Sequence, residues 1–231
     1  MARLGAISSR AWKQTRWGDA KQGYPILSFE RTSRASALTI LLVGGIHGNE
    51  PAGVEAAIRW MEESRPEHDL FNWLIIPCAN PTGWEHDRRT NLRHHDMNRH
   101  FNDPACCPEC IAIHRALDGK RLAFSLDFHE DDEAPGFYIC EIKKHPPIAG
   151  EQIVAAAAHI LPVWQAEYLD GRRAISDGVV RRFPVTSAGL KRRKFWPLEF
   201  YLQHAHIDHT FARKRQPLFP WTSVWPPAMP P

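Results

Sequence analysis

The sequence predicts an α/β fold, a mixed and mostly parallel sheet flanked by helices in a single domain. Short apolar runs alternate with amphipathic helical segments from residue 25 to residue 160, the pattern of right-handed strand–helix–strand units. The run Ala37-Leu38-Thr39-Ile40-Leu41-Leu42-Val43 is apolar without alternation, as in a strand covered on both faces. It then meets Gly44-Gly45, where a strand stops and leaves its last side chains at the rim of a sheet.

Residues 25–30 and 37–43 read as the first strands. Glu50 to Glu63 reads as a helix, with Val54, Ala57, Ile58 and Met61 on one face at the 3.6-residue period. Asn72 to Pro77 reads as a strand. The polar stretch from Cys78 to about Pro104 reads as a long loop, and loops of that length inside a domain tend to be functional. Pro108 to Leu117 reads as a helix with Pro near its start. Leu122 to Phe128 and Gly136 to Ile142 read as strands, and Gln152 to Ile160 as an alanine-rich helix. No internal repeat occurs. The domain is expected over 1–210. Residues 211–231 carry six of the 19 prolines, no acid and no Gly, and are expected to be an irregular tail.

The length of 231 residues and a hydrophobic fraction of 43% allow one domain with a sizeable core. The net charge of +3 comes from Arg213, Lys214 and Arg215; the rest of the chain balances. Nothing global points to nucleic acid. No stretch approaches the roughly 20 apolar residues of a membrane span. Basic residues Arg3, Arg10, Lys13 and Arg16 break up any apolar leader, and five cysteines are an odd number; both lead us to expect a cytoplasmic protein with reduced thiols. The sequence does not set the oligomeric state.

The most informative segment is Gly44-Gly45-Ile46-His47-Gly48-Asn49-Glu50-Pro51. His47 and Glu50 are expected on one turn, facing the crevice where open α/β sheets bind ligands. Imidazole and carboxylate together suit zinc. Asp127-Phe128-His129-Glu130 ends a second apolar run, so His129 is expected at the same end of the sheet as a third ligand. Asp127 is expected to accept a hydrogen bond from the ligand's other ring nitrogen.

The long loop adds Asn80-Pro81-Thr82-Gly83, Arg89-Thr90-Asn91 and Asp96-Met97-Asn98-Arg99-His100-Phe101. With His47-x-x-Glu50 and Asp127-x-His129, these motifs resemble, in order, the zinc carboxypeptidase (carboxypeptidase A-like) metallopeptidase family. They are also similar to its relatives, the succinylglutamate desuccinylase/aspartoacylase group. The resemblance covers roughly residues 37–140. It implies one zinc held by His47, Glu50 and His129. It implies that Arg89 polarises the scissile carbonyl and steadies the oxyanion, and that Asn98 and Arg99 hold the substrate's terminal carboxylate, for which a guanidinium fork is well suited. The implied substrate is a peptide or an N-acyl amino acid with a free carboxylate.

The same resemblance implies a late Glu, in a stretch like Phe-Glu-Thr-Pro, that transfers protons between water and the leaving amine. Here the likeness runs through Tyr201-Leu202-Gln203-His204 and Asp208-His209-Thr210-Phe211 and then stops; no acid follows Asp208. One hypothesis is a frameshift: Lys214-Arg215-Gln216 can be encoded so that a neighbouring frame reads Glu-Thr-Pro. Glu199 and Glu130 are the substitutes to weigh, and Glu199 is preferred because Glu130 should point to the other side of its strand. Three readings follow: a metallocarboxypeptidase, an N-acyl amino acid deacylase, or a catalytically weak zinc-binding protein.

Other features are expected to be structural. Cys106-Cys107-Pro108-Glu109-Cys110 lacks the second pair of a zinc ribbon and reads as a chance cluster at a loop–helix junction rather than a redox pair. Arg181-Arg182 and Lys191-Arg192-Arg193-Lys194 read as a solvated surface. Arg88, Arg93, His94 and His95 read as solvated neighbours, and His204, His206 and His209 as partly exposed histidines without a ligand role.

Overall fold

The structure is a computed structural model, and it describes residues 2–7, 11–33, 38–63, 65–143, 148–169, 171–182, 186–206 and 209–215. Its helices are α1 (Ala2–Ala6), α2 (Pro51–Glu62), α3 (Pro81–Glu85), α4 (Pro108–Leu117), α5 (Gly150–Ala158), α6 (Ser187–Lys191) and α7 (Leu198–Ala205). Its strands are β1 (Lys13–Asp19), β2 (Pro25–Arg31), β3 (Thr39–Val43), β4 (Asn72–Ile76), β5 (Phe124–Glu130), β6 (Tyr138–Lys143), β7 (Tyr168–Leu169), β8 (Arg172–Arg173), β9 (Val179–Arg182) and β10 (His209–Arg215).

Eight strands form one sheet in the order β1-β2-β4-β3-β5-β10-β6-β9, and β7 pairs with β8 apart from it. Four pairings are parallel, β3 with β4, β3 with β5, β10 with β5 and β6 with β9; three are antiparallel. The sheet is therefore mixed and mostly parallel, as expected. Leu41 and Val43 turn towards a core layer shared with α4 and α7, while Leu42 packs into a second layer with α2. Burial on both faces explains why β3 reads as an unbroken apolar run. Helix α2 buries Val54, Ala57, Ile58 and Met61, the face its periodicity predicts.

One strand is unforeseen and two expectations change. β1, a seven-residue strand rich in polar residues, pairs antiparallel with β2 at the sheet edge; neither of its faces carries an apolar pattern. The loop 78–104 is partly helical, holding α3 and a single 3₁₀ turn over Met97–Arg99. The expected irregular region 211–231 is strand over 211–215, the second half of β10; 216–231 lie outside the described residues. β10 fills the position between β5 and β6, and its register sets Lys214 level with His129 and Arg215 level with Glu130. The position at which the resemblance implies a carboxylate is thus beside the strand that carries His129.

Candidate active site

The turn after β3 is built by glycine. Gly45 has φ +63°, a left-handed conformation that side chains disfavour. A Cβ on Gly48 would come within 1.9 Å of the Gly83 carbonyl carbon, so only glycine lets this turn lie against α3. Asn80 caps α3 by accepting the Gly83 N–H at 2.9 Å. The Glu50 N–H donates to the His47 carbonyl at 3.2 Å, and Glu50 is the residue before Pro51, the first of α2. Both motifs are therefore locked to each other, and His47 and Glu50 share one turn as the sequence predicts.

His47, Glu50 and His129 are buried, and their ligand atoms lie within 4.8 Å of one another. His47 Nδ1 is 2.7 Å from Glu50 Oε1, and His129 Nδ1 is 2.9 Å from Glu50 Oε2. The opposite ring nitrogens meet carboxylates. His129 Nε2 is 3.0 Å from Asp127 Oδ2, and His47 Nε2 is 3.2 Å from Asp96 Oδ1. A carboxylate on each Nε2 keeps the proton there and presents each Nδ1 lone pair to the shared space. Two nitrogens, one carboxylate and an outer carboxylate behind each ring are a donor set that suits a divalent metal ion such as zinc. The residues fit the metal that the resemblance implies.

Charge follows this geometry. Burial alone would raise the Glu50 carboxyl, but hydrogen bonds from His129 and His47 outweigh it and hold the group well below the usual range. Burial would lower His129, yet Asp127 and Glu50 push it well above an ordinary histidine. A metal at this point replaces the Nδ1 proton, so ion and proton compete. Asp96 is also held low: burial opposes this, but the His47 contact and the charges of Arg89 and Arg99 prevail.

Asp96 has a role that its sequence context does not reveal. It also accepts from Arg89, whose Nε and Nη2 lie 3.2 and 3.1 Å from Oδ2, and its Oδ1 accepts the Asn98 N–H at 3.0 Å. Arg89 Nη1 stands 3.6 Å from Glu50 Oε1. One carboxylate thus orients an imidazole, a guanidinium and a turn. The sequence places Asp96 in the motif that resembles the carboxypeptidases but gives it no role; its i to i+2 spacing to Asn98 is that of an Asx-type turn.

Asn98 and Arg99 line the same cleft as the three ligand residues. Asn98 Nδ2 is 3.4 Å from His129 Nε2, and its Oδ1 accepts the Leu198 N–H at 2.8 Å. Arg99 is exposed and donates from Nη1 to the Asn98 carbonyl at 2.9 Å. Glu199 lines the cleft as well, whereas Asn91 does not: it is buried, accepting the Arg93 and His95 N–H groups and donating to Glu109. Glu130 does not point away as expected: it lines the same cleft, and its Oε1 accepts the Ala52 N–H at 2.5 Å.

The basic runs are not a plain solvated surface. Arg182, Arg193 and Lys194 line the cleft, together with Arg172, so its outer wall is cationic. The cleft encloses about 420 Å³. A neighbouring hollow of about 690 Å³ shares Glu50, Arg89 and Glu130 with it and is lined by Asp87, Asp132 and Glu133. The Cys-x-x-Cys reading stands as structural: Cys107 and Cys110 are fully buried in the core beneath α4. His204 is exposed and stacks edge-on against Trp196, and His206 bonds to the Lys120 carbonyl and Tyr201. His209 side-chain contacts lie outside the described residues. No helix among the described residues is long and apolar enough to cross a membrane.

The sequence model of the succinylglutamate desuccinylase/aspartoacylase catalytic domain matches residues 36–169. The chain belongs to that family. The matched segment contains every ligand and arginine described above except the late segment that carries Glu199 and the cleft's Arg172, Arg182 and Arg193. Carboxypeptidase SOL1 of Arabidopsis thaliana is 27% identical over 100 residues, which are 37% of this chain and only 20% of that protein. A solved structure of a candidate metallopeptidase from Shewanella amazonensis superposes with a TM-score of 0.77 at 19% identity, covering 96% of this chain and 85% of that one. Murein-tripeptide amidase MpaA of Escherichia coli O157 gives 0.63 at 17% identity, covering 94% and 88%. At such identities these two likenesses speak for the fold.

Proposed function

We propose that this family member is a zinc-dependent hydrolase that cleaves an amide bond next to a free carboxylate, acting as a carboxypeptidase on peptides or peptide-like substrates. The observation that carries this reading is the convergence of His47, Glu50 and His129 in a cleft that also holds Arg89 and Arg99. Zinc in that set would supply a Lewis acid for the carbonyl and lower the pKa of a water. Arg89, held at two nitrogens by Asp96, is placed to stabilise negative charge as it develops on the carbonyl oxygen. Arg99 binds the terminal carboxylate through its exposed guanidinium edge, with Asn98 beside it. The cationic wall favours an anionic leaving half.

The family match supports a second reading, an N-acyl amino acid deacylase built on the same ligands. Cleft shape rather than the metal set separates the two. Metal analysis with turnover assays on a panel of short peptides and N-acyl amino acids tests both. One zinc per chain with peptide cleavage supports the first reading; turnover confined to N-acyl amino acids supports the second. Bound zinc with no turnover on either class would make the chain a zinc-binding protein without this activity.

A further inference from the structure

A hydrolase of this kind needs a group that moves a proton from the attacking water to the departing nitrogen. The strand beside His129 does not offer a carboxylate, because β10 sets Lys214 level with it and the sequence has no acid after Asp208. Among the described residues, three carboxylates line the cleft: Glu50, Glu130 and Glu199. Glu50 has one oxygen on each imidazole. Glu130 is drawn to the first turn of α2 by the Ala52 N–H. Glu199 is different. It is 8% exposed, and its Oε2 has no hydrogen-bond partner among the described residues.

A buried carboxyl oxygen without a partner is costly, so its placement at a reactive cleft calls for a role. Its position is fixed by the loop that carries the other site residues. The Phe101 N–H donates to the Trp196 carbonyl at 3.2 Å, the Trp196 N–H donates to the Arg99 carbonyl at 3.3 Å, and the Leu198 N–H donates to Asn98 Oδ1 at 2.8 Å. Residues 196–199 are therefore stitched to the loop of Asp96, Asn98 and Arg99.

We propose that Glu199 is the proton-transfer residue of this chain, a role that rests on the hydrolase reading above. The Glu199 carboxylate takes a proton from water as the water oxygen bonds to the amide carbon. The carbon–nitrogen bond then breaks, and the same proton passes from the Glu199 carboxyl to the leaving nitrogen, returning Glu199 to its starting charge. The surroundings suit this role. Burial and the nearby charge of Asp127 raise the Glu199 carboxyl above its ordinary value despite His129, which makes it a better proton acceptor than a free carboxylate.

The experiment uses full-length zinc-loaded protein and compares wild type with Glu199→Gln and Glu199→Asp. Zinc content, thermal denaturation and the infrared band of a buried protonated carboxyl are read alongside kcat/KM against pH. The expected result is zinc content and melting unchanged in Glu199→Gln, loss of the carboxyl band that grows in wild type as pH falls, and kcat/KM lower by about 10²–10⁴-fold, with partial recovery in Glu199→Asp. If Glu199→Gln keeps kcat/KM within about threefold of wild type and the same pH profile, Glu199 is not the residue, while the hydrolase reading stands. A wild-type protein that binds zinc and turns over nothing overturns both.

Discussion

Asn98 Oδ1 accepts the Leu198 N–H at 2.8 Å across one hundred residues of sequence, and the next residue is Glu199. Both groups are buried, so the bond has no solvent substitute. Removing it in Asn98→Ala leaves a buried N–H unpaired, a loss of about 1–3 kcal/mol. Denaturant melts should show that loss, and kcat/KM should fall with it. Asn98→Asp keeps the acceptor and should recover most of the stability.

Asp127 and Asp96 hold the outer ring nitrogens of the two imidazoles. Replacing either with Ala should leave the three ligands in place and weaken zinc binding by about 10–100-fold. Competition with a chelator of known affinity measures it. Asp96→Ala should also free Arg89 and lower kcat further than the metal loss explains, because the same carboxylate grips that guanidinium.

The proposed function gives Arg99 the substrate carboxylate. Arg99→Ala should raise KM by about 10–100-fold, the worth of a charge-assisted hydrogen bond of about 1.5–3 kcal/mol. The effect should vanish on substrates whose terminal carboxylate is amidated. An equal loss on both substrate forms would show that Arg99 serves the structure instead.

His68 is 1% exposed and enclosed by Trp12, Trp60 and Trp73, with ring centroids 5.3, 4.9 and 6.4 Å away. Burial, helped by the charge of Arg31, lowers its pKa below the ordinary value. In the unfolded chain the same group titrates near about 6.5. The unfolded state therefore binds more protons in the interval below that value, and stability falls as pH drops from about 6.5 towards the folded pKa. His68→Phe should flatten this part of the stability–pH curve, read from melts at fixed salt.

Much of this fold and site is legible in the sequence because the chemistry is local. His47 and Glu50 share one turn, and Asp127 lies two residues before His129 on one strand face. β3 and α2 follow directly from apolar period. What escapes is non-local. β1 and β10 are strands only because a partner strand supplies their ladder, since Lys13-Gln14-Thr15-Arg16 and Ala212-Arg213-Lys214-Arg215 carry no apolar pattern. Arg182, Arg193 and Lys194 look like solvent charges until β9 and the segment before α7 bring them to one wall. Asp96 has no periodicity at all; its importance comes from reaching His47 across 49 residues.

An anomalous-difference map of a zinc-soaked crystal asks most directly whether the three side chains share an ion. One strong peak is expected, bound by His47 Nδ1, His129 Nδ1 and the Glu50 carboxylate, and lost in Glu50→Gln. A peak at the outer Nε2 atoms, or none within reach of all three side chains, would refute the zinc centre.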